Sequence, residues 1–252
     1  MKLFKGKSQH ILVDRGVLRR ITRYAELSPE DTVLEVGCGT GNLTAYLLRK
    51  AGRVIGIEID SRMVEVLKRK FSGFIEGGRF ELIHADALKI EFPEFDKFVS
   101  NIPYKISSPL TFKLFNSDFQ LAVVMYQKEF ARRLVAGPGS KDYGRLSVIV
   151  RAYCRAEIVE NVPRWAFVPR PKVDSAIVKI YPEPELKVKN REVFEDLVTF
   201  LFSRRRKKLG KSIEEFCRVR GVTIELSDEL RDLRPEQLSP ETFAELSDSA
   251  IA

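Results

Sequence analysis

The stretch that decides the fold is residues 32–44, TVLEVGCGTGNLT, in a chain of 252 residues. It begins with a short apolar run, 32–36, passes through three glycines and continues into 43–50, where the apolar residues have helical spacing. Glycines in such a turn let the backbone reverse tightly and approach a ligand closely. The stretch therefore predicts a buried strand, a ligand-binding turn and a helix, in that order.

Strand and helix patterns continue to alternate through the first two thirds of the chain. Residues 62–71 place apolar side chains on one face of a helix, and Pro109 stands where another helix could begin. This alternation is typical of a mostly parallel sheet covered by helices on both faces, so the predicted fold class is α/β with a Rossmann-like sheet. Further strands are predicted at 53–59, 80–84, 97–100 and 121–126, and at 156–162 and 175–181, which would close one edge as an antiparallel pair.

The composition changes after Pro182-Glu183-Pro184, which is a plausible linker. Beyond it only helices are predicted, at 191–202, 213–220 and 240–248. The sequence thus predicts two domains, 1–182 and 183–252, the second all-helical. Charge is segregated in the second domain: residues 203–220 contain eight basic and two acidic residues, and 221–252 contain two basic and eight acidic ones. In the first domain, the polar, glycine-containing segment 137–144 predicts a mobile surface loop.

The overall composition excludes several classes of protein. With 44% hydrophobic residues the chain can bury a core and is not disordered. No segment approaches the roughly 20 apolar residues of a membrane span. The amino-terminal sequence lacks the apolar run of a signal peptide. Three isolated cysteines support neither a disulfide framework nor a metal site. We therefore expect a soluble cytoplasmic protein without a metal, and the net charge of +8 favours an anionic partner such as nucleic acid.

The glycine turn and two carboxylates suggest a nucleoside ligand. Gly37, Gly39 and Gly41 form G-x-G-x-G, and Asn42 stands where a dinucleotide-binding fingerprint needs another glycine. Glu58 ends the second strand, where an acid can accept hydrogen bonds from both ribose hydroxyls. Asp86 follows the third strand, where a carboxylate could accept from an adenine amino group. Together these positions favour an adenosine ligand without a pyrophosphate, although the glycines alone could form only a tight turn.

These motifs resemble the cofactor motifs of the S-adenosylmethionine-dependent methyltransferases with the Rossmann-like fold. The resemblance implies that the glycine turn lies under the methionine moiety, that Glu58 holds the ribose and that Asp86 holds the adenine. A further motif at Gln9, His10 and Leu12 resembles one that closes over the amino-acid end of the cofactor. The residues expected to bind S-adenosylmethionine are Gln9, His10, Leu12, Gly37, Gly39, Gly41, Glu58, Ile59, Asp86, Ala87 and Asn101.

The sequence Asn101-Ile-Pro103-Tyr104 follows the fourth strand and faces the same crevice. An adenine amine is a poor nucleophile because its lone pair is delocalised into the ring. The Asn101 oxygen and a backbone carbonyl next to Pro103 could accept both amine hydrogens and aim the lone pair at an electrophilic methyl group about 3 Å away. Tyr104 can stack on the base. No general base is obvious, and none is needed if the proton leaves after methyl transfer.

This motif resembles that of the N6-adenine methyltransferases, and the chain from Gln9 to about Ser247 resembles the rRNA adenine N6,N6-dimethyltransferases of the KsgA type. The resemblance implies dimethylation of two adjacent adenines near the 3′ end of small-subunit rRNA, in a pre-ribosomal particle and by a monomer. Phe167, in FVPRPKVDS, would form the second face of a base sandwich with Tyr104. The run Phe202–Leu209, FSRRRKKL, resembles a family helix. It would bind RNA through Arg204, Arg205, Arg206, Lys207 and Lys208.

Several alternatives remain open. A related branch methylates a large-subunit adenine and confers antibiotic resistance, a mitochondrial branch also serves as a transcription factor, and a non-catalytic RNA-binding assembly factor would share much of the chain. A DNA adenine methyltransferase is less favoured, because no DNA-recognition module is evident. The basic run could be a solvated helix face, with Arg204 or Arg205 paired to the acidic tail. His10 stands where many bacterial members carry Asn, which indicates an archaeal or eukaryal branch and leaves the contact of His10 open.

Overall fold

The structure is a computed structural model that describes residues 10–251. These residues form two compact units, a sheet unit of 10–131 with 157–182 and a helical unit of 132–156 with 183–251. The predicted linker at Pro182 coincides with a boundary between the units. Residues 132–156, which the sequence pattern assigns to the first domain, belong instead to the helical unit, a grouping that depends on tertiary contacts rather than on local pattern.

The sheet unit contains a seven-stranded sheet whose first five strands in spatial order are parallel. The strands are β1 Ile11–Leu12, β2 Thr32–Val36, β3 Arg53–Glu58, β4 Phe80–His84, β5 Lys97–Asn101, β6 Leu121–Gln127, β7 Arg155–Val162, β8 Phe167–Val168 and β9 Ser175–Tyr181. The spatial order is β4-β3-β2-β5-β6-β9-β7, and β9 runs antiparallel to β6. This arrangement confirms the predicted α/β class and places both predicted edge strands at one edge. Separately, β1 and β8 form a two-stranded antiparallel pair.

Helices flank this sheet because their apolar residues fall on one face. They are α1 Arg15–Tyr24, α2 Asn42–Leu47, α3 Ser61–Lys70, α4 Ser72–Glu76 and α5 Ser107–Phe115, while α6 Lys128–Val135 runs across the boundary between the units. Asp14 caps α1 by accepting a hydrogen bond from the Val17 N–H at 2.9 Å. Helix α5 begins at Ser107, two residues before the predicted Pro109, because a 3₁₀ turn at Tyr104–Ile106 leads directly into it.

The helical unit consists of α7 Arg145–Arg151, α8 Arg191–Ser203, α9 Leu209–Arg220, α10 Asp228–Arg231 and α11 Pro240–Asp248. Asn190 caps α8, and Gly221, at φ +68°, ends α9. The side chains of Phe194, Phe216 and Phe243 are fully or almost fully buried. They form the core that a unit of this size needs.

One sequence-based expectation for the helical unit is wrong. The basic run 204–208 is not helical, since α8 ends at Ser203 and α9 begins at Leu209, so the run forms the turn between two helices. Segment 137–144 lies at the surface as predicted, with residues 138–141 exposed, and it is anchored by two contacts within the helical unit. Tyr143 is fully buried and donates a hydrogen bond from its hydroxyl to the Leu238 carbonyl at 2.9 Å, and the Gly139 N–H donates to the Glu236 carbonyl at 2.9 Å. Within residues 10–251, no helix combines the length and apolar character needed to cross a bilayer.

Candidate active site

A cavity of about 460 Å³ opens at the carboxyl ends of the parallel strands in the sheet unit. Ligands bind at this end in open α/β sheets, because the strand-to-helix loops converge there. The structure brings together most of the predicted site residues in this cavity. They are His10, Leu12, Gly37, Gly39, Glu58, Ile59, Asp86, Ala87, Asn101, Pro103 and Tyr104. Gln9 lies outside the described residues.

The three glycines of the turn adopt left-handed backbone conformations but serve different purposes. Gly39, at φ +55°, lines the cavity, and a Cβ there would meet no atom within 4 Å. Gly37, at φ +77°, lies against Pro103, whose Cδ would be 3.1 Å from a Cβ at position 37. Gly41 does not line the cavity. It packs against Phe71 instead, because a Cβ at position 41 would be 2.4 Å from a ring carbon of that residue. Gly41 therefore permits packing, whereas Gly37 and Gly39 shape the site.

Glu58 is held at the cavity wall by two backbone hydrogen bonds. Its Oε2 accepts from the Gly39 N–H at 2.8 Å, and its Oε1 accepts from the Asp60 N–H at 2.9 Å. The residue is 4% exposed, so its carboxylate is fixed in direction. A carboxylate offers about four lone-pair sites, so each oxygen retains acceptor capacity. Two adjacent hydroxyl donors, such as those of a ribose, match this arrangement.

Asp86 and Ile59 line another part of the cavity. Asp86 accepts a hydrogen bond from the Leu88 N–H through Oδ1 at 3.0 Å, which orients its carboxylate. The loop around it is tied down by Lys113, whose ammonium donates to the Ala87 carbonyl at 2.9 Å. Ile59 is 64% exposed although it is apolar and follows a buried strand. An exposed branched side chain beside an oriented carboxylate suits the flat face and the amino group of an adenine.

Glu35 is a site residue that the sequence analysis did not select. It is buried at the end of β2, it lines the cavity, and its Oε2 accepts a hydrogen bond from the Thr44 hydroxyl at 2.6 Å. Burial raises the pKa of its carboxyl group to about 7. The available signal was an acid placed among apolar strand residues directly before the glycines. Glu35 therefore places a carboxyl group that can titrate near neutral pH next to the glycine turn.

Asn101 and Tyr104 also line the cavity, and in the sequence they stand on either side of Pro103, whose ring packs against Gly37. The Asn101 Nδ2 donates to the His10 carbonyl at 3.4 Å. The Tyr104 hydroxyl shares a hydrogen bond with the Ser175 hydroxyl at 2.7 Å. Burial raises the pKa of Tyr104, so its phenol is neutral at physiological pH. The His10 ring lies 5.8 Å from the Tyr104 ring, and its Nδ1 lies 2.8 Å from the Pro169 carbonyl oxygen.

The structure does not bring Phe167 into this cavity. The residue is fully buried and belongs to the core of the sheet unit. It lies opposite Leu12 in the β1–β8 pair. A large apolar ring packs into the core when the strand that carries it pairs with a buried neighbour. In this structure Phe167 therefore supports the amino-terminal strand, and no face of its ring is open for stacking on a base.

The predicted RNA-binding run divides into two groups. Arg204 makes hydrogen bonds to both carboxylate oxygens of Glu215, at 2.6 and 3.1 Å, and lies over the Phe200 ring. Arg205 and Lys208 approach the acidic tail through Glu236, at 3.5 Å, and Asp232, at 2.6 Å. The remaining two cations, Arg206 and Lys207, are exposed and make no ion pair with the part of the chain that the structure describes. Among residues 10–251, no group of three metal-ligating side chains is close enough to hold a metal.

Comparison with known proteins identifies the family to which the chain belongs. A family model for ribosomal RNA adenine dimethylase matches residues 3–249. A Methanosarcina barkeri protein named probable ribosomal RNA small subunit methyltransferase A is 45% identical over 250 residues, covering 96% of this chain and 86% of that protein. A Pyrococcus furiosus protein of the same name is 44% identical over 249 residues, covering 95% and 89%.

Two solved structures are similar over almost the whole length. A dimethyladenosine transferase from Plasmodium falciparum has a TM-score of 0.80 at 37% identity, covering 94% of this chain and 96% of that one. The 23S rRNA methyltransferase ErmE has a TM-score of 0.68 at 32% identity, covering 95% and 98%. With the family model spanning both units, these matches establish that the chain belongs to the ribosomal RNA adenine dimethylase family.

Proposed function

We propose that this protein transfers methyl groups from S-adenosylmethionine to the N6 amines of two adjacent adenines near the 3′ end of small-subunit rRNA. The observation that supports this most is that Glu58 and Asp86 line the same cavity as Asn101 and Tyr104. The names of the archaeal relatives favour small-subunit over large-subunit RNA as the substrate. The intact glycine turn and the intact Asn-Ile-Pro-Tyr sequence at 101–104 favour an enzyme over a purely RNA-binding factor.

The residues present fit S-adenosylmethionine. Glu58 would accept from the ribose hydroxyls, Asp86 from the adenine amine, and Ile59 would cover the adenine face. The open backbone at Gly39 allows a ligand to approach where a side chain would otherwise stand. When bound, S-adenosylmethionine supplies an electrophilic methyl group. The cavity volume is within the range of small-molecule sites.

The segment Asn101–Tyr104 then orients the acceptor amine. Because the Asn101 Nδ2 donates to the His10 carbonyl, its Oδ1 is the atom that can accept an amine hydrogen. A backbone carbonyl beside Pro103 would accept the second hydrogen, so the nitrogen lone pair faces the methyl group. The neutral hydroxyl of Tyr104 is bonded to Ser175, so the tyrosine acts as a stacking platform and not as a base.

We further propose that the protein acts as a cytoplasmic monomer on rRNA within a pre-ribosomal particle. The reactive amine is inaccessible inside a stacked helix, so the target adenines must be unpaired or flipped out. Exposed Arg206 and Lys207 of the helical unit support phosphate contacts that are independent of base identity.

The proposal is tested by incubating the protein with methyl-labelled S-adenosylmethionine and either immature small subunits or large subunits, then mapping the label. We expect label on two adjacent adenines near the 3′ end of the small-subunit RNA. Label confined to large subunits would transfer the assignment to the other branch of the family. Absence of label on both, with cofactor binding intact, would overturn the catalytic proposal.

A further inference from the structure

The segment 164–174, which we call the rim segment, exposes an unusual set of side chains. Trp165 is 57% exposed and Val168 is 50% exposed, although each is next to a fully or almost fully buried residue. Trp165 is the single tryptophan of the chain. A large aromatic side chain presented to solvent is uncommon on a protein surface unless something stacks on it. The core does not use Trp165, because the neighbouring Ala166 and Phe167 take the buried positions.

The rim segment is attached to the active-site cavity at several points. The Val13 N–H donates to the Ala166 carbonyl at 2.9 Å, immediately beside Trp165. The Pro169 carbonyl lies 2.8 Å from Nδ1 of His10, which lines the cavity. Ser175, which directly follows the segment, shares a hydrogen bond with the hydroxyl of Tyr104, the proposed stacking platform for the target base. A strand of RNA that delivers a base to Tyr104 would therefore have to pass close to this segment.

The rim segment carries a net positive charge, which suits binding of an anion. Arg164, Arg170 and Lys172 are all exposed. The single acid of the segment, Asp174, is turned to the backbone, where it accepts from the Arg164 N–H at 3.0 Å. With its carboxylate used as a cap, it does not pair with these cations in the described part of the chain. The segment therefore combines one exposed aromatic ring with three cations.

Helix α1 extends this basic surface. It begins directly after the strand that pairs with the rim segment, and its residues Arg15, Arg19 and Arg23 are spaced four apart, so they share one exposed face. The rise of 1.5 Å per residue puts successive arginines about 6 Å apart along the helix axis. Asp14, the acid at the start of α1, is used to cap the helix through the Val17 N–H. Three exposed cations thus share one face of the helix that follows the strand paired with the rim segment.

We infer that the rim segment binds the single-stranded RNA next to the target adenine, with Trp165 stacked on a neighbouring nucleotide and Arg164, Arg170 and Lys172 on its phosphates. Exposed aromatic rings combined with cations are what sequence-tolerant recognition of single strands requires. This inference rests on the proposed function for the identity of the RNA, but the binding itself does not require methyl transfer. A double helix does not fit as well, because its bases are already stacked on each other.

The test uses the intrinsic fluorescence of Trp165 in the full chain. The protein is titrated with a single-stranded pyrimidine oligoribonucleotide, which contains no adenine and so does not fill the target-base site. We expect quenching that saturates and that weakens as salt is added, since phosphate contacts release counterions. A duplex of equal length should quench much less at the same concentration.

Variants separate stacking from charge. Trp165→Ala should weaken binding of a dye-labelled oligonucleotide by roughly 10-fold, while Trp165→Phe, which keeps a ring, should stay close to wild type. Arg170→Ala should reduce the salt dependence of binding. Arg69→Ala, which removes an exposed arginine of α3, is the matched control and should leave binding unchanged. Equal unfolding temperatures for all four variants would show that each is folded.

Methylation of small-subunit particles distinguishes this inference from the proposed function. Trp165→Ala should raise the KM for particles and leave kcat nearly unchanged. If the wild-type protein methylates particles but Trp165→Ala changes neither oligonucleotide binding nor KM, the rim inference is wrong and the proposed function stands. If oligonucleotides quench the fluorescence of Trp165 but no particle is methylated, the proposed function fails and the inference about the rim segment is supported. Quenching by ribosomal proteins and not by RNA would overturn the inference in favour of a protein partner.

Discussion

The Glu58 carboxylate accepts a hydrogen bond from the backbone N–H of Gly39 at 2.8 Å, so the acid proposed to hold the ribose also braces the glycine turn. One side chain therefore acts on two parts of the same cofactor site. Loss of this carboxylate should remove ligand contacts and loosen the turn together.

We expect Glu58→Ala to weaken S-adenosylmethionine binding by one to two orders of magnitude, since one lost acceptor typically costs about 1–3 kcal/mol. Isothermal titration calorimetry measures the affinity directly. Arg69→Ala is a suitable control on an exposed part of the same unit. Unchanged affinity in Glu58→Ala would exclude Glu58 from the ribose site, and comparable binding of NAD would contradict the choice of cofactor.

Asn101→Ala should reduce the turnover number by roughly 100-fold or more, because the acceptor amine is no longer held in a reactive orientation. The fold should be intact, and cofactor affinity should fall far less than turnover. Single-turnover methylation of small-subunit particles, combined with calorimetry, separates the two effects. Near-normal turnover in the variant is incompatible with the proposed role of the amide.

Tyr104 is expected to contribute through its ring more than through its hydroxyl. Tyr104→Ala should lower kcat/KM by roughly 10- to 100-fold through the loss of stacking, worth about 1–3 kcal/mol. Tyr104→Phe removes only the hydrogen bond to Ser175 and should be milder. Steady-state kinetics on the same particles tests this order, and equal damage by both substitutions would assign the main role to the hydroxyl.

Glu35 should make stability depend on pH. Burial is the main cause that raises its pKa from the ordinary 4.5 to about 7; the hydrogen bond from Thr44 and the charge of Lys70 act in the opposite direction, and the charge of Glu58 acts in the same direction as burial. Between these two values the folded protein retains a proton that the unfolded chain has released. Stability from this group is therefore greatest below about pH 4.5 and falls as the pH rises through 7, by a total on the order of 3 kcal/mol.

Urea unfolding at pH 5 and pH 8 measures this effect as the difference between wild type and Glu35→Gln. The wild type should lose more stability than the variant over that interval. Using the difference cancels the titration of other groups, such as Glu160, whose pKa is lowered by Arg20. Identical losses in the two proteins would show that Glu35 does not titrate in this range.

The basic turn 204–208 should behave as two groups of residues. Replacing exposed Arg206 and Lys207 with Ala should weaken particle binding. The salt dependence of binding should decrease by the amount expected for the loss of about two phosphate contacts. The affinity for the cofactor should not change. Arg204→Ala should instead lower the stability of the helical unit, because it removes a bidentate contact with Glu215. Filter binding across salt concentrations and thermal unfolding distinguish these outcomes. Equal effects of both changes on binding would contradict the division.

Local patterns predicted the elements whose boundaries are marked by glycine or by polar residues. Strands β2, β4 and β9 match their predicted limits residue for residue, because each is a compact apolar or β-branched run. The motifs at strand ends predicted most of the cavity, since parallel strands bring their carboxyl ends to one edge.

What the patterns could not supply depends on distant contacts. Phe167 is buried because β8 pairs with β1, more than 150 residues earlier in the chain. The grouping of 132–156 with the helical unit follows from contacts such as that of Tyr143 with Leu238. The raised pKa of Glu35 follows from its burial, and a strand pattern does not show how deeply a side chain is buried. The break between α8 and α9 interrupts a run of residues with good helix propensity, so tertiary packing overrides local preference there.

The close approach of Gly37 to Pro103 makes these two positions epistatic. Ala at position 37 meets both an unfavourable backbone conformation and the pyrrolidine ring, whereas Ala at both positions removes the collision and leaves only the backbone cost. The effects of the two substitutions should therefore not add. Any redesign that grafts a different acceptor motif onto this scaffold inherits that constraint: the segment Asn101–Tyr104 has to be exchanged together with the glycine turn against which Pro103 packs.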